Sequence, residues 1–326
     1  MTIEKESPTR SGRLSAGGGT KNRPAGRLRR ILQRRNRGVF IFLGLTPVVI
    51  LVMVFIYYPL ANGVVMAFQD VTLRNFENRD FVGLKNFQEL LQDPQFLQAC
   101  LNTVYWVVGS IIPQVTLGLG IALLLKRRFP GRGIYQATIF FPWAVAGFLI
   151  ALMFRWMLDG QFGVVNDLLL RSGIIDSPIA FLSSPAWAMP SVIFANVWYG
   201  TTFFAIMLLA ALQSVPKDLE EAASIDGAGR FRRFQAVTLP HILPTLLTSV
   251  LLRVIWITNF PDIIWVMTRG GPAGSTHIIT TYLIEQIFVG QNYSKGAAIG
   301  LIVFAGLITF LVFYTVATKV TTREEN

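Results

Sequence analysis

The chain alternates long apolar runs with short charged intervals. Six runs approach or exceed the roughly 20 residues that cross a bilayer as helix. They cover 39–62, 97–125, 134–157, 186–213, 241–267 and 296–318. Pro47 and Pro59 in the first run predict kinks rather than breaks, because neighbouring helices re-satisfy freed carbonyls. The second run is interrupted by Pro113 and is rich in Gly109, Gly118, Gly120 and Ala122, small residues that let helices approach closely. In the third, which contains Pro142, a straight helix carries Arg155 about 30 Å from its inner end. There it is expected to snorkel to the outer interface or pair with Asp159 one turn on, a structural role.

Between the fourth and fifth runs lies a polar interlude, E-E-A-A-S-I-D-G-A-G-R-F-R-R-F-Q-A-V-T-L-P-H-I-L-P over 220–244. Its pattern predicts a short helix over 217–226, a break, and a second over 230–237 that Leu239-Pro240 ends. Leu219, Ala222, Ala223 and Ile225 give the first helix a small apolar face. Pro216 sits near its start and Asp218, Glu220 and Glu221 lie in its first turns, where the helix dipole favours acids. Gly227 and Gly229 permit positive φ at the break. A piece this short is not stable alone and is expected to dock into something.

Composition adds one constraint. Of 326 residues, 52% are hydrophobic and 14% charged, against about 25% charged in soluble domains, so something other than water solvates the chain. Net charge is +11, yet the placement of that charge argues against nucleic acid. Residues 1–38 hold eleven Lys or Arg against two acids and read as a disordered cytoplasmic tail without interleaved aromatics. Its cluster Arg29, Arg30, Arg34, Arg35 and Arg37 favours anionic lipid headgroups. With six spans and both ends inside, 21 of the 29 Lys and Arg fall on one side. That positive-inside signature places the 220–244 loop in the cytoplasm. The chain then divides into a tail (1–38), a first span with outer loop (39–96), a core (97–318) enclosing the loop 214–240, and a second tail (319–326).

Cofactor chemistry finds little purchase. Cys100 stands alone, which excludes an internal disulfide or a cysteine-based metal site, and His241 and His277 are too far apart to anchor zinc. No G-x-x-x-x-G-K-[ST] run offers a phosphate cradle. No cofactor is expected, and if ATP drives this chain, a partner binds it.

The polar interlude resembles the coupling loop of the permease subunits of ATP-driven bacterial importers. That family's loop reads Glu-Ala-Ala, three residues, Gly, nine residues, an aliphatic residue, one residue, Leu-Pro. Here Glu221-Ala222-Ala223, Gly227, Val237 and Leu239-Pro240 stand at that spacing. Phe81-Val82-Gly83-Leu84, Asn86-Phe87, Asp93-Pro94 and Asn102-Thr103 are similar to the segment preceding the core in carbohydrate-importer permeases, and a Gly270-Gly271-Pro272 turn after the fifth span fits the family too.

The resemblance implies an all-α, polytopic membrane fold of type I, six helices with cytoplasmic termini, in a bacterial cell membrane. It implies a non-catalytic subunit assembled with a second similar permease, two ATPase subunits and an external solute-binding protein. One set of six spans supplies half of a passage. Glu221 becomes the polar contact to the ATPase, Ala222 and Ala223 permit close approach, Gly227 sets the angle between the two helices, and Asp226, Leu239 and Pro240 complete the coupling set. The chain lacks the extra N-terminal helices and large outside domain of maltose-type relatives, which leaves the sugar's identity open.

Polar side chains near mid-span mark where a substrate would pass. Asn196 lies about 15 Å into the fourth span, near the midplane. Asn196, Gly200 and Phe203 share one face, with Tyr199 beside them: an amide, an aromatic floor and a glycine that opens space for a sugar. Maltose-binding members resemble this with an Asn, a Gly and an aromatic on the equivalent helix; a helix-packing face is the alternative. In the fifth span Arg253 would cost roughly 2.5–3.5 kcal/mol at depth, so it should face a cavity or partner. Trp256 and Asn259 are expected to line the passage, with Arg253 at a subunit interface, on a charged substrate group, or bonded to carbonyls of another helix. Asp262, nine residues on and on the opposite face, cannot pair with it within one helix. A glycerol-phosphate or other polyol is the nearest alternative substrate. A secondary transporter or channel would need intramembrane carboxylates or an inverted repeat, and an embedded enzyme clustered His, Asp or Glu; neither pattern is present.

Overall fold

The computed structural model describes residues 44–77 and 79–323, with side chains as far as 318. The basic tail 1–38, the start of the first span and the end of the C-terminal tail lie outside the described residues. The chain divides into two compact units, 1–61 and 62–326. The described part of the first is helix throughout. It belongs to α1 (Gly44–Ala67), whose remaining residues open the second unit. Met53–Tyr57 form a π turn in which the Tyr58 N–H donates five residues back to the Met53 carbonyl. Pro59 follows directly. The extra residue in that wide turn moves the carbonyls below the proline ring aside, so the helix carries Pro59 without breaking.

Among the described residues the second unit contains twelve further helices. They are α2 (Lys85–Gln92), α3 (Pro94–Lys126), α4 (Arg132–Ala144), α5 (Gly147–Met157), α6 (Val164–Arg171) and α7 (Pro185–Gln213). After these come α8 (Lys217–Ile225), α9 (Arg230–Arg233), α10 (Leu239–Asn259), α11 (Asp262–Met267), α12 (Ile279–Phe288) and α13 (Tyr293–Arg323). Among the described residues five helical segments are long and apolar enough to cross a membrane, and α4 with α5 makes a sixth if the bent pair counts as one span.

The core is built on α7, which packs against α3, α4 and α10. Its most apolar stretch is 56% buried. Ala195, Gly200, Thr201, Thr202 and Ala205 keep it slim, so neighbours close in from several sides. Gly118 on α3 shows how closely: an added Cβ would lie 2.5 Å from Phe204 Cβ. A second cluster, with Phe96, Tyr282 and Ile299 at its centre, ties α3, α12 and α13 together.

Three expectations are corrected. The segment between α1 and α3 is not plain loop. Gln69–Asp70 (β1) pairs antiparallel with Asp80–Phe81 (β2), and α2 follows. Asn86 pins this hairpin by donating to the Ala67 and Gln69 carbonyls at 2.9 and 2.8 Å, and Tyr293 N–H donates to Val71 O at 3.0 Å.

The third span is not one helix. Pro142 lacks an N–H, Val145 and Ala146 are extended, and α4 and α5 meet at 96°. Rise along a single axis therefore does not place Arg155. Its Nη1 donates to Val266 O at 3.1 Å, while the Asp159 carboxylate accepts from the Gln161 and Phe162 N–H groups at 2.8 and 2.9 Å. Those two bonds hold the Asp159 carboxyl below its ordinary range.

Nor does Leu239-Pro240 end a helix. From α9 the chain runs through a second π turn, Phe234–Thr238, straight into α10, with Leu239 N–H donating to Phe234 O just before Pro240. The same device carries Pro59 in α1. The break comes later, at Phe260-Pro261, where Phe260 leaves the helical region and α11 begins.

Candidate functional site

Two constellations emerge from this scaffold. The first is buried at the crossing of α3, α7 and α10. Arg253 on α10 is 2% exposed. Its Nε donates to Gln114 Oε1 at 3.0 Å and its Nη2 to Asn196 Oδ1 at 3.1 Å. Gln114 in turn donates to the Asn196 carbonyl at 2.9 Å. Hydrogen bonds from a charged donor are worth about 1.5–3 kcal/mol each, enough to offset the burial of the guanidinium. Its carbon stands 5.8 Å from the centre of the Tyr199 ring. Among the described residues no ion pair joins Arg253 to Asp262.

Gly200 is what lets this knot form. A Cβ there would lie 2.3 Å from Arg253 Nη2 and 2.4 Å from Gln114 Oε1. The space the glycine opens is filled by the chain's own guanidinium and amide, not by a cavity. Asn196 is 1% exposed, and its Nδ2 is a buried donor with no partner among the described residues.

Over the knot lies an aromatic cluster at the two broken spans. Trp143, at the end of α4, stacks on Tyr199 with centroids 5.6 Å apart, and meets Phe203 at 5.3 Å and Trp256 at 5.4 Å. Trp256 also meets Phe260 edge-on at 6.2 Å. Phe203 is buried, whereas Trp256 is 42% and Phe260 61% exposed. Asn259 does not join the group: its Nδ2 donates to Ile255 O in its own helix at 2.8 Å. The second halves of the broken spans, α5 and α11, pack together. Gly147 permits that, since a Cβ there would lie 2.5 Å from Asp262 Oδ2.

Gln114 and Trp143 escaped the sequence reading. Gln114 sits mid-run after Pro113, and the test applied to Asn196, a polar residue far from either end, flags it equally well. Trp143 carried no such signal, because nothing local announces that Pro142 turns the chain through 96°.

The second constellation is the helix pair at the other end of α7. In α8 and α9 no residue is buried. Ile225 is 86% and Phe231 73% exposed, and Glu221, Ala222 and Asp226 are exposed alongside. Gly227 adopts φ +76° with nothing within 4 Å of a Cβ position, so its role is conformational and not steric. Leu239 packs on the core, with Pro240 half-buried beside it. Glu220, not Glu221, faces inward: it pairs with Lys126 at the end of α3 and accepts from Thr238 at 3.5 Å.

Residues 114–322 match the family described as the inner membrane component of binding-protein-dependent transport systems. That is well over half of the chain. The chain belongs to this family. It is a multi-pass permease of the inner membrane and not itself the ATP-hydrolysing subunit.

Relatives agree across nearly the whole length. The permease is 35% identical to the trehalose/maltose transport system permease protein MalF of Thermococcus litoralis, over 84% of this chain and 91% of that one. It is 33% identical to the sulfoquinovosyl glycerol transport system permease protein SmoG of Agrobacterium fabrum, over 80% and 84%. In the crystal structure of a bacterial alginate ABC transporter in complex with an alginate pentasaccharide-bound periplasmic protein, one chain superimposes with TM-score 0.77 and 26% identity. That match covers 90% of this permease and 98% of the other chain.

Proposed function

We propose that this permease forms half of a passage for an oligosaccharide, handed over by an external solute-binding protein and driven by two ATPase subunits that grip α8 and α9 from the cytoplasm. The observation that carries the substrate class is the aromatic cluster at the breaks of the third and fifth spans. Sugar rings present C–H faces that pack on aromatic rings, and here Trp256 and Phe260 stay exposed while Trp143 and Tyr199 back them. The buried Gln114–Asn196–Arg253 knot fixes α3, α7 and α10 beneath that surface. On this reading Asn196, Gly200, Phe203 and Arg253 position the lining and do not touch the sugar in this conformation, and Asn259 is peripheral. The relatives' names, which give trehalose/maltose, sulfoquinovosyl glycerol and alginate, point to carbohydrates as well. Arg253, the side chain that would suit a glycerol-phosphate, is buried and bonded to Gln114 and Asn196, so this conformation does not favour that substrate.

The driving motion enters at the exposed helix pair. Glu221 and Asp226 offer polar contacts, Ala222 and Ala223 close approach, Ile225 and Phe231 apolar area, and Gly227 the bend between the helices. When the ATPase pair closes, the knob moves. Because α9 continues into α10 without interruption, the displacement is passed toward Arg253 and Trp256 along one continuous helix. Uptake of labelled di- and trisaccharides by cells producing the complete transporter tests the substrate reading. Trp256→Ala is expected to weaken uptake severalfold through a raised half-saturation concentration, with Trp256→Phe intermediate. Unchanged saturation for every sugar tried would sink it.

A further inference from the structure

A cavity of about 610 Å³ opens beside α8, where the ends of α3 and α7 meet the start of α4. Leu212 and Val215 form its apolar floor. Its polar wall is strongly cationic: Lys126, Arg128, Arg132, Lys217 and Arg233 stand against Glu220 and Glu221. Lys126 and Glu220 neutralise one another, which leaves four cations facing one acid. The Nε of Arg132 is buried without a hydrogen-bond partner among the described residues. A buried guanidinium N–H lacking an acceptor is costly, and a small turn of the Arg132 side chain toward an anionic oxygen in the cavity would satisfy it. Two helices also begin on this wall, α4 at Arg132 and α8 at Lys217. Their N-terminal dipoles favour the same sign of ligand.

We propose that this cavity binds a single phosphate-bearing anion, held by Arg128, Arg132, Lys217 and Arg233. Arginine forks match tetrahedral phosphate oxygens better than they match a lone carboxylate. A phospholipid headgroup and soluble phosphate share that chemistry, and the position favours the lipid. The cavity sits where α3 and α7 end and α4 begins, and the ends of apolar spans meet headgroups in a bilayer. Tyr135, on the first turn of α4, is exposed as interfacial tyrosines are. The lipid source rests on the proposed function only for the sidedness of this face, since anionic lipid is enriched on the cytoplasmic leaflet. A bound headgroup would bridge the α3–α4 turn to α8, and so stiffen the mounting of the knob.

The test uses the assembled transporter, released from vesicles and weighed with its bound anions by native mass spectrometry. One arm uses phosphatidylglycerol vesicles; the other uses phosphatidylcholine vesicles with added inorganic phosphate. Retention of phosphatidylglycerol supports the site with a lipid source, and retention of phosphate alone supports it with a soluble one. In either arm Arg128→Gln and Arg132→Gln should each lower occupancy about fivefold, the equivalent of ~1 kcal/mol per basic residue at an anionic surface. Arg132→Lys should restore part of it, and Arg171→Gln, at an exposed helix end elsewhere, should change nothing. Matching elution and helical content show that the variants fold. No retained anion in either arm overturns the proposal, as does wild-type occupancy when Arg128→Gln and Arg132→Gln are combined, or an equal loss with Arg171→Gln. Sugar uptake is not the readout, so a wrong substrate class leaves this result standing.

Discussion

The buried knot and the exposed knob place polar residues in opposite settings. Gln114, Asn196 and Arg253 come from helices far apart in sequence and are sealed from both water and lipid. Neither solvent can supply a partner there, so the groups bond to one another, and the Asn196 Nδ2 is left without a partner among the described residues. The knob's residues lie within about twenty positions of each other, and its apolar side chains stand in the open. The knot consequently resists change by stability, and on the proposed function the knob does so through the ATPase it contacts. Substitutions in the first should be felt as unfolding, and in the second as lost transport from an intact protein.

The sharpest way to break that contrast is at Gly200. Valine there would drive a Cβ into positions held by Arg253 and Gln114. Overpacking of this kind costs about 3 kcal/mol, and the guanidinium has nowhere to retreat without losing its acceptors. Gly200→Val should lower the thermal unfolding midpoint of the detergent-purified permease more than any other change discussed. A midpoint within a degree of wild type would show the knot to be looser than its distances imply.

Next in size is the pair Asn196→Leu and Asn259→Leu. The first removes the acceptor of Arg253 Nη2 and should cost about 2 kcal/mol. The second removes an exposed amide that bonds only within its own helix, and should cost under ~0.5 kcal/mol. Equal losses in the same melting assay would contradict the separation of the two residues into core and periphery. In sequence the two look alike, an amide near the midplane of the fourth span and an amide beside Trp256 in the fifth.

What was legible follows from distance along the chain. The knob was readable because its signal is local: a helix-forming stretch, a glycine where φ turns positive, and a spacing that recurs in a family. The six apolar runs were readable for the same reason, each carrying its own hydropathy. The knot was half-readable. Burial of Asn196 and Arg253 follows from their depth, but their mutual bonding depends on how three helices cross. The two breaks were not readable at all. Pro142 and Pro261 stop or bend their spans, while Pro59 and Pro240 ride through on π turns and Pro113 and Pro190 sit inside unbroken helices. The proline is the same in each case; the packing around it decides.

Gly227 tests the other half of the contrast. An L-residue at φ +76° costs about 1–2 kcal/mol, yet nothing lies within 4 Å to clash. Gly227→Arg should therefore leave a folded permease with a modest loss of melting temperature. Sugar uptake should fall by about tenfold or more, a loss of 1.4 kcal/mol or greater in the driving contact. ATP hydrolysis by the assembled complex should persist. Normal uptake in this variant would remove the knob from the mechanism.

The smallest expected effect joins the two regions. Lys126 closes α3, the helix that carries Gln114, and pairs with Glu220 on α8. Their side chains are 29% and 32% exposed. Water screens such a pair, so its stability contribution should be only ~0.5 kcal/mol. Its mechanical place is larger than that figure suggests. Besides α7 and the rod of α10, it is a direct link between the knob and a helix of the knot. Lys126→Ala should barely shift melting, yet lower the uptake obtained per ATP hydrolysed, and Glu220→Gln should do the same. A double variant no worse than either single change would show that both act through their shared bond. Additive losses would mean instead that Lys126 acts through the neighbouring cationic cavity.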